Sequence, residues 1–530
     1  MAVAGPGATA RTSGVRARYL PPIALSLIVL AGLAIRLPEL GRSLWIDELI
    51  TDWATSAELT DLVARSWIAN LSPTSFSFAW LSRELLGASE SALRLPSLLA
   101  GLLLIVALWA CFRELEVAPW AALVGCSLAA FDPNAFEYAV TARPVAWVAF
   151  GSLLHTLAFL RIMRGSRTPR SDWIAWVGFH VFCFYLHYTA LLALAGQGVY
   201  VLLARPQRAG QWKRFAIGVA VIAVLCLPAL GHLHYLFTHR GMLGFVPPED
   251  LSGVFSAFFP DRYLLIPLLI AGFLPELWER GERSWFDLRA LAQRRESLRC
   301  LVLLYAVPML LVWALGKLHV VQLSKYRVYC WALPLLLFGM VATLLARRDR
   351  RVIFAVTAVV LMATYYASPL NHYVRYGNFG AIRVNWRDAI AQVREQAAPG
   401  DSVLIDSGLV ENAWLAADSP PLLRSYLLAP VGGLYPLDPS RLQVAPVSHD
   451  LAWLDPEVRS ALAAGGRGWL IAPSGHATLH AALVARLAQE GVAVQLEGPF
   501  DVGGVGVSRL SPSAHPQGVR SGGRQDGHRP

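Results

Sequence analysis

The stretch LPPIALSLIVLAGLAIRLPELGRSLWIDELIT, residues 20–51, decides the fold of this chain. It begins with an apolar run of membrane-spanning length. The run has no small-residue cleavage site and continues into Arg36, which predicts a retained anchor and not a cleaved signal peptide. About ten residues beyond it come two adjacent acids, Asp47 and Glu48, beside Trp45. The chain is therefore expected to enter the membrane at once and to place two acids at its surface.

The composition predicts an α-helical polytopic membrane protein. Of the 530 residues, 55% are hydrophobic and only 15% are charged, which is more apolar than a soluble chain requires. The apolar stretches of spanning length lie at residues 20–38, 92–112, 117–133, 139–163, 172–187, 188–204, 214–237, 253–278, 299–317, 327–346 and 352–370. These are eleven predicted spans. Ten or twelve remain open, because the pair that meets at residues 185–189 has almost no loop and because one span contains Asp261 and Arg262.

The distribution of cations predicts the orientation. Arginines precede the first span and recur in alternate loops, whereas the opposite short loops are poor in Lys and Arg. Cytoplasmic loops carry such an excess. The pattern predicts a multi-pass protein of the cytoplasmic (inner) membrane with a cytoplasmic segment 1–19, a membrane domain 20–370 and an extracytoplasmic C-terminus.

The net charge of +10 does not indicate a nucleic-acid partner. Residues 371–530 hold 13 Arg and 14 Asp or Glu, so the excess of 33 basic over 22 acidic residues falls in the first 370. An excess concentrated in the loops of a membrane protein is a topological signal and not a footprint for a polyanion.

Beyond residue 370 the pattern changes to that of a small extracytoplasmic α/β domain, predicted over residues 371–510. Helical periodicity at 385–396 and 477–490 alternates with predicted strands at 401–405, 469–472 and 492–496. Residues 511–530, rich in Gly, Ser, Arg and Pro, are predicted to be a disordered tail. All six cysteines lie in or beside spans, so no disulfide framework is expected outside.

The first outer loop, residues 39–91, is too long for a plain connector and has helical periodicity. From Ser43 onward, apolar side chains such as Leu49 and Trp53 share one helix face, while Asp47, Glu48 and Asp52 project from the other. We therefore predict an amphipathic helix that lies on the membrane with its acids toward water. A second amphipathic run follows around Leu62.

Several short motifs occur in a characteristic order along the chain. They are LWIDE at 44–48, SPTSF at 72–76, LGASESALRLPS at 86–97, YAVTARP at 138–144, HY at 187–188 and YRVY at 326–329. In order and topological side, this series resembles the C-type glycosyltransferases, in particular the protein O-mannosyltransferase and aminoarabinose transferase group, which includes bacterial lipopolysaccharide sugar transferases. The resemblance covers most of residues 20–400.

The resemblance implies transfer of a sugar from a polyprenyl-phosphate donor to an acceptor hydroxyl of a glycan, lipid or protein, outside the cytoplasmic membrane and with inversion. A polyprenyl phosphate is a good leaving group, so one carboxylate to accept a proton and a few cations to stabilise the phosphate suffice. Asp47 is implied as the base and Glu48 as its supporting partner. Arg327, Lys325 and Arg143, near outer membrane faces, are the candidates for the donor phosphate.

The chain also departs from the family pattern. Thr141 stands where the family has an acid, and Ser72 stands where it has a histidine. Asp132 and Glu137 lie on the same outer side and are expected to supply a second acid, although Asp132 is equally suited to capping a helix. The departures leave an altered acceptor or an inactive homologue open.

His187 and Tyr188 match the family's His-Tyr pair and are secondary site candidates. Arg94, at the start of the second span, is expected to pack against the first loop or to meet lipid headgroups. His232 and His234 raise the alternative of a divalent metal, but a helix brings residues i and i+4 together and not i and i+2. No cofactor is therefore expected. A transporter and a membrane-anchored sensor or structural protein remain the alternative classes.

Overall fold

A computed structural model describes residues 8–164, 169–203, 209–238, 288–317, 332–346, 368–382, 384–448, 450–451 and 453–513. The chain divides into two compact units. We call Met1–Arg42 with Ala57–Ala381 the membrane unit, and Ser43–Ser56 with Ile382–Pro530 the sheet unit. The predicted span at 253–278 and almost all of the one at 352–370 lie outside the described residues.

Helices and strands are numbered along the described chain. The helices are α1 Ala8–Arg36, α2 Ile46–Thr55, α3 Leu59–Ile68, α4 Pro73–Leu86, α5 Glu90–Glu114, α6 Pro119–Phe131, α7 Pro133–Ala139, α8 Val145–Arg164, α9 Arg170–Leu186, α10 Ala193–Leu203, α11 Ala209–Cys226, α12 Leu230–Thr238, α13 Leu288–Gly316, α14 Ala332–Ala346, α15 Pro369–Tyr376, α16 Trp386–Gln396, α17 Pro421–Leu427, α18 Pro456–Ala463 and α19 Ala477–Gln489. The strands are β1 Ser402–Ile405, β2 Gln443–Pro446, β3 Gly468–Pro473, β4 Val494–Asp501 and β5 Val505–Pro512.

The membrane unit is helical, as its composition predicts. Among the described residues, five helical stretches are long and apolar enough to cross a membrane: Leu20–Glu39, Glu90–Glu114, Val145–Arg164, Trp212–Thr238 and Glu296–Gly316. Two shorter apolar stretches, Pro119–Phe131 and Tyr188–Leu203, fall on further predicted spans. The count of eleven extends into residues that are not described, so it stays a prediction.

Phe112 is one site of close helix packing in the membrane unit. A Cβ placed on Gly125 of α6 or on Gly339 of α14 would overlap its ring. Phe112 itself is fully buried. Small residues allow neighbouring helices in a membrane to approach closely, and these two glycines provide the space for the ring.

The end of the first span is fixed by Arg94, on α5. Its Nη1 donates hydrogen bonds to the carbonyl oxygens of Glu39 at 3.4 Å, Leu40 at 2.8 Å and Arg42 at 2.6 Å. These carbonyls follow the end of α1 and need external donors. The prediction that Arg94 packs against the first loop is confirmed.

The sheet unit contains a five-stranded mixed sheet in the order β2-β1-β3-β5-β4. The pairs β1/β2 and β1/β3 are parallel, whereas β5 runs antiparallel to β3 and β4. One face is covered by an apolar core that includes Leu404, Leu470, Leu483 and Leu510. The three predicted strands coincide with β1, β3 and β4 to within a few residues.

Two positions in the structure can be compared with the predicted boundaries. The disordered tail was expected from Ser511, but Ser511 and Pro512 belong to β5, where they pair with Gln495 and Val494 of β4. Residues 514–530 lie outside the described part of the chain. The C-terminal segment of the sheet unit begins at Ile382. Phe379, just before it, belongs to the membrane unit, where its backbone N–H donates to Glu39 at 2.9 Å.

Candidate active site around Asp47

Asp47 lies in the first turn of α2, which belongs to the sheet unit. Trp45 precedes the helix in an extended conformation, and its backbone N–H donates to Glu48 Oε2 at 3.3 Å. A carboxylate is favourable at this end of a helix because the first N–H groups lack partners within the helix. Glu48 therefore stabilises the first turn of α2, which is the turn that carries Asp47.

The other residues of α2 dock the helix onto the sheet unit. Trp53 donates from Nε1 to Ser425 Oγ at 2.9 Å, and its ring lies edge-on to Tyr426 with the centroids 5.4 Å apart. Just before the helix, the backbone N–H of Leu44 donates to the Tyr435 hydroxyl at 2.9 Å. Within the helix, Asp52 accepts from another backbone N–H of the unit, that of residue 434, at 2.6 Å. The position of α2 is thus set by residues of the C-terminal part of the chain.

This docking corrects the predicted surface helix. Glu48 and Asp52 were expected to face water, but both are 0% exposed, and Trp53 is 1% exposed. Both the apolar and the acidic face of α2 can be buried because Glu48 and Asp52 accept hydrogen bonds from backbone N–H groups, as buried carboxylates require. Asp47 remains partly exposed. Of these three acids of α2, Asp47 is the one still accessible to a substrate.

Glu411 follows strand β1 and is an acid whose pKa is influenced by Asp47. It lies in a short 3-10 helix, Val410–Trp414, and is 5% exposed. Burial raises the pKa of its carboxyl above the ordinary value of 4.5, its own backbone N–H lowers it, and the negative charge of Asp47 raises it further. Burial and a neighbouring like charge both favour the protonated form of an acid. The sheet unit thus contains both Asp47 and a buried acid on which the charge of Asp47 acts.

The loop that carries Glu411 is fixed by Asp406, which directly follows β1 and is fully buried. Asp406 Oδ1 accepts from Asn412 Nδ2 at 2.6 Å and from the Gly408 N–H at 3.0 Å. Its Oδ2 lies 2.7 Å from His476 Nδ1, at the end of β3. Carboxyl ends of parallel strands are where ligands bind in open α/β sheets, and here this edge carries the loop with Glu411.

The acids predicted in the membrane unit have structural partners. Glu137 lies 3.0 Å from Arg42, and it also accepts from the backbone N–H of Ala381. Arg42 contacts Glu39 as well, at 3.3 Å. Asp132 accepts from the Ala135 N–H at 2.8 Å and caps α7. Capping was the alternative expected for Asp132, and it is confirmed.

The remaining predicted residues of the membrane unit lie at helix ends. Arg143 follows α7 in a turn that is tied to α5, because its carbonyl oxygen accepts from Ser97 Oγ at 2.9 Å. His187 ends α9, and its Nδ1 lies 2.8 Å from Thr189 Oγ1. Tyr188 begins the next turn, with its hydroxyl 2.8 Å from His232 Nδ1.

Two predicted phosphate ligands, Lys325 and Arg327, lie outside the described residues. Within the described ranges, no group of three or more His, Cys, Asp or Glu side chains is placed to hold a metal ion. His232 is buried and His234 is exposed, as the i, i+2 spacing on a helix implies.

Sequence reasoning missed Glu411, together with Tyr435 and Asp406, which help to hold the site. None of them lies in a motif or a periodic element. Each matters because of a contact with a residue distant in the chain, and a single sequence contains no local signal for such a contact. One sequence feature does point to Asp406 and Glu411: both follow a predicted strand within a few residues.

Comparison with known proteins gives one family. Residues 71–232 match the family model of dolichyl-phosphate-mannose-protein mannosyltransferases. A sequence search of curated proteins finds no match.

Three solved structures are similar at low identity. ArnT from Cupriavidus metallidurans in the apo state is 14% identical with a TM-score of 0.48, and the alignment covers 91% of this chain and 97% of that one. The archaeal oligosaccharyltransferase AglB from Archaeoglobus fulgidus is 12% identical with a TM-score of 0.48, covering 95% and 75%. The arabinofuranosyltransferase AftD from Mycobacteria is 15% identical with a TM-score of 0.48, covering 94% and 40%.

The family match includes four of the six motifs that carry the predicted resemblance, at 72–76, 86–97, 138–144 and 187–188. The predicted resemblance is therefore matched over residues 71–232, where this chain is similar to the dolichyl-phosphate-mannose-protein mannosyltransferases.

Proposed function

We propose that this chain is an integral membrane glycosyltransferase that moves a sugar from a polyprenyl-phosphate donor to an acceptor hydroxyl, with inversion. The observation that carries the proposal is the family match over residues 71–232, because the family's name states a dolichyl-phosphate sugar as donor and a protein as acceptor. The membrane-spanning helices support a donor that stays in the bilayer. The acceptor is a glycan, a lipid or a protein.

The reaction takes place on the outer side of the inner membrane in this proposal. Arginine-rich alternate loops favour a cytoplasmic N-terminus and eleven spans. That arrangement makes residues after about 370, and the first loop with Asp47, extracytoplasmic. A polyprenyl-linked sugar then meets its acceptor at the outer surface.

Asp47 is the general base. The acceptor oxygen forms a new bond to the anomeric carbon of the sugar, and its proton passes to the Asp47 carboxylate. The bond between the anomeric carbon and the phosphate oxygen breaks, and polyprenyl phosphate leaves with the bonding electrons. Attack opposite the leaving group inverts the anomeric centre. The partial exposure of Asp47, on a helix whose other acids are buried, supports this role.

Cations hold the departing phosphate in this scheme. Arg143, Lys325 and Arg327 are proposed for that purpose, Arg327 first, because a guanidinium can contact two phosphate oxygens at once. Glu48 supports Asp47 indirectly, by stabilising the turn from which Asp47 projects. The scheme does not include a metal.

The proposal is tested with purified protein in lipid vesicles. A sugar on a polyprenyl phosphate is supplied in one reaction and the corresponding nucleotide sugar in another, and the product is analysed by NMR. We expect transfer from the lipid-linked donor alone, with inverted anomeric configuration. Transfer from the nucleotide sugar alone, or a product of retained configuration, would contradict the proposal.

A further inference from the structure

We infer that the short helix α15, Pro369–Tyr376, lies in the membrane surface and that phospholipid covers its apolar face. This apolar face consists of Leu370, Tyr373 and Val374. The inference goes beyond the proposed function and does not depend on it. It assigns a lipid partner to a helix that the predicted boundary at residue 371 places largely in the extracytoplasmic domain.

The first observation is that the apolar face of α15 is exposed. Leu370 is 37% exposed, Tyr373 49% and Val374 70%. The three residues occupy positions i, i+3 and i+4, which lie on one side of a helix. Neighbouring apolar side chains that are exposed together mark a surface that binds a membrane or another protein.

The second observation is that the chain after α15 is bound to the end of the first membrane-spanning stretch, Leu20–Glu39. The backbone N–H of Phe379 donates to Glu39 Oε1 at 2.9 Å, and Glu39 is the last residue of that stretch. The ring of Tyr373 stacks on the ring of Phe379, with the centroids 4.4 Å apart. Because a spanning helix ends where the hydrocarbon core meets the headgroups, α15 lies at the depth of the headgroups.

The third observation is that the exposed apolar surface of the first span leads up to this point. Its exposed members recur every three, four or seven residues, which keeps them on one side of the helix. They are Leu20, Ile23, Leu27, Leu30 and Leu37. Leu37 lies two residues before Glu39, the residue that binds Phe379. The surface that faces lipid along the span therefore continues to the neighbourhood of α15.

The residue types of α15 favour phospholipid over a partner protein as the occupant. Tyrosine is enriched at membrane interfaces because its ring is apolar and its hydroxyl is polar. Tyr373 belongs to the apolar face and Tyr376 flanks it. Arg375 is exposed and lies on the opposite side of the helix, where its guanidinium can contact lipid phosphate groups. An apolar face with a cation opposite is typical of a helix that lies in the membrane surface.

The experiment places a nitroxide spin label at Val374→Cys in the full-length protein, in vesicles of phosphatidylcholine and phosphatidylglycerol. The controls are Leu27→Cys in the first span and Glu395→Cys, at an exposed acid of α16. The five native cysteines in the described ranges are buried, and the unsubstituted protein serves as the labelling blank. The measured quantity is the accessibility of the label to oxygen relative to its accessibility to a water-soluble nickel complex.

We expect this ratio at Val374 to be higher than at Glu395 and lower than at Leu27, because the label lies between water and the acyl chains. A ratio equal to that at Glu395 would place the helix in water. Exclusion of both reagents from Val374 would show that protein, such as a second copy of this chain, covers the face. Either result would overturn the inference, and neither bears on sugar transfer.

A second measurement uses a different position, in case the labelled variant does not fold. The photoreactive residue benzoylphenylalanine replaces Leu370 in one variant and Glu395 in the control, and the irradiated vesicles are analysed by mass spectrometry. We expect a phospholipid adduct at position 370 and none at position 395. An adduct at position 370 to protein alone, or the absence of a lipid adduct there, would overturn the inference.

Discussion

Two pairs of acids in this molecule are held in opposite ways. In the membrane unit, Glu39 and Glu137 both contact Arg42, at 3.3 and 3.0 Å. In the sheet unit, burial raises the pKa of Glu411, and the charge of Asp47 raises it further. Two acids that share a cation stabilise the structure, whereas a buried carboxyl group whose pKa is raised by burial and by a second acid is typical of sites that do chemistry. The comparison explains why Glu137, although predicted as a second acid, is less suited to that role than Glu411.

The largest loss of stability is expected when Arg42, the cation between Glu39 and Glu137, is removed. Arg42→Ala leaves Glu39 and Glu137, with side chains only 8% and 17% exposed, without this guanidinium. Loss of charged hydrogen bonds at a largely buried site costs about 3 kcal/mol. Thermal unfolding of the purified protein in detergent should show a clear decrease in Tm.

The control for that experiment is Arg375→Ala, which removes an exposed arginine from the same unit. Its Tm should stay within a degree or so of the wild type, because isolated surface charges contribute little. Equal losses in the two variants would show that Arg42 does not neutralise the pair, and the contrast between the two acid pairs would fail.

A smaller change in stability, which depends on pH, is expected for Glu411 in the sheet unit. The pKa of Glu411 is raised in the folded protein, so the stability that this residue contributes is complete below its ordinary pKa and is lost as pH rises through the raised one. Glu411→Gln has no such loss. The Tm of Glu411→Gln minus that of the wild type should therefore increase as pH rises above the ordinary value of 4.5. A difference that is constant with pH would contradict the raised pKa.

The smallest effect concerns how α2 is held. Tyr435→Phe removes the hydroxyl that accepts from the Leu44 N–H and should cost about 1 kcal/mol of stability. Because this bond lies just before the turn of Asp47, hydrogen exchange of the α2 amides should become faster in the variant. Tyr373→Phe, at an exposed site in the membrane unit, serves as control. Unchanged exchange in Tyr435→Phe would mean that the hydroxyl does not help to position the helix.

Much of this molecule follows from its sequence. The apolar runs around Leu20 and in α5 and α8 are long enough to predict the helices on their own, and Asp47 is apparent from its motif. The partners of α2 are not, because Ser425 and Tyr435 reach the helix only through the fold of the sheet unit. The hydrophobic wheel of α2 therefore predicts a surface helix, and it cannot show that backbone N–H groups will satisfy Glu48 and Asp52. Strand β5 was not predicted for another reason: the glycines at its start are typical of a turn.

The rate of sugar transfer by Asp47→Asn, from a verified polyprenyl-phosphate donor in lipid vesicles, tests the central claim most directly. Asp61→Asn is the matched control, since it makes the same change at an exposed acid of α3. A positioned general base contributes roughly 10² to 10⁴ in rate. We predict a loss of at least about 10²-fold for Asp47→Asn with a Tm close to that of the wild type, and no loss for Asp61→Asn. A folded Asp47→Asn protein that transfers at the wild-type rate would contradict the account.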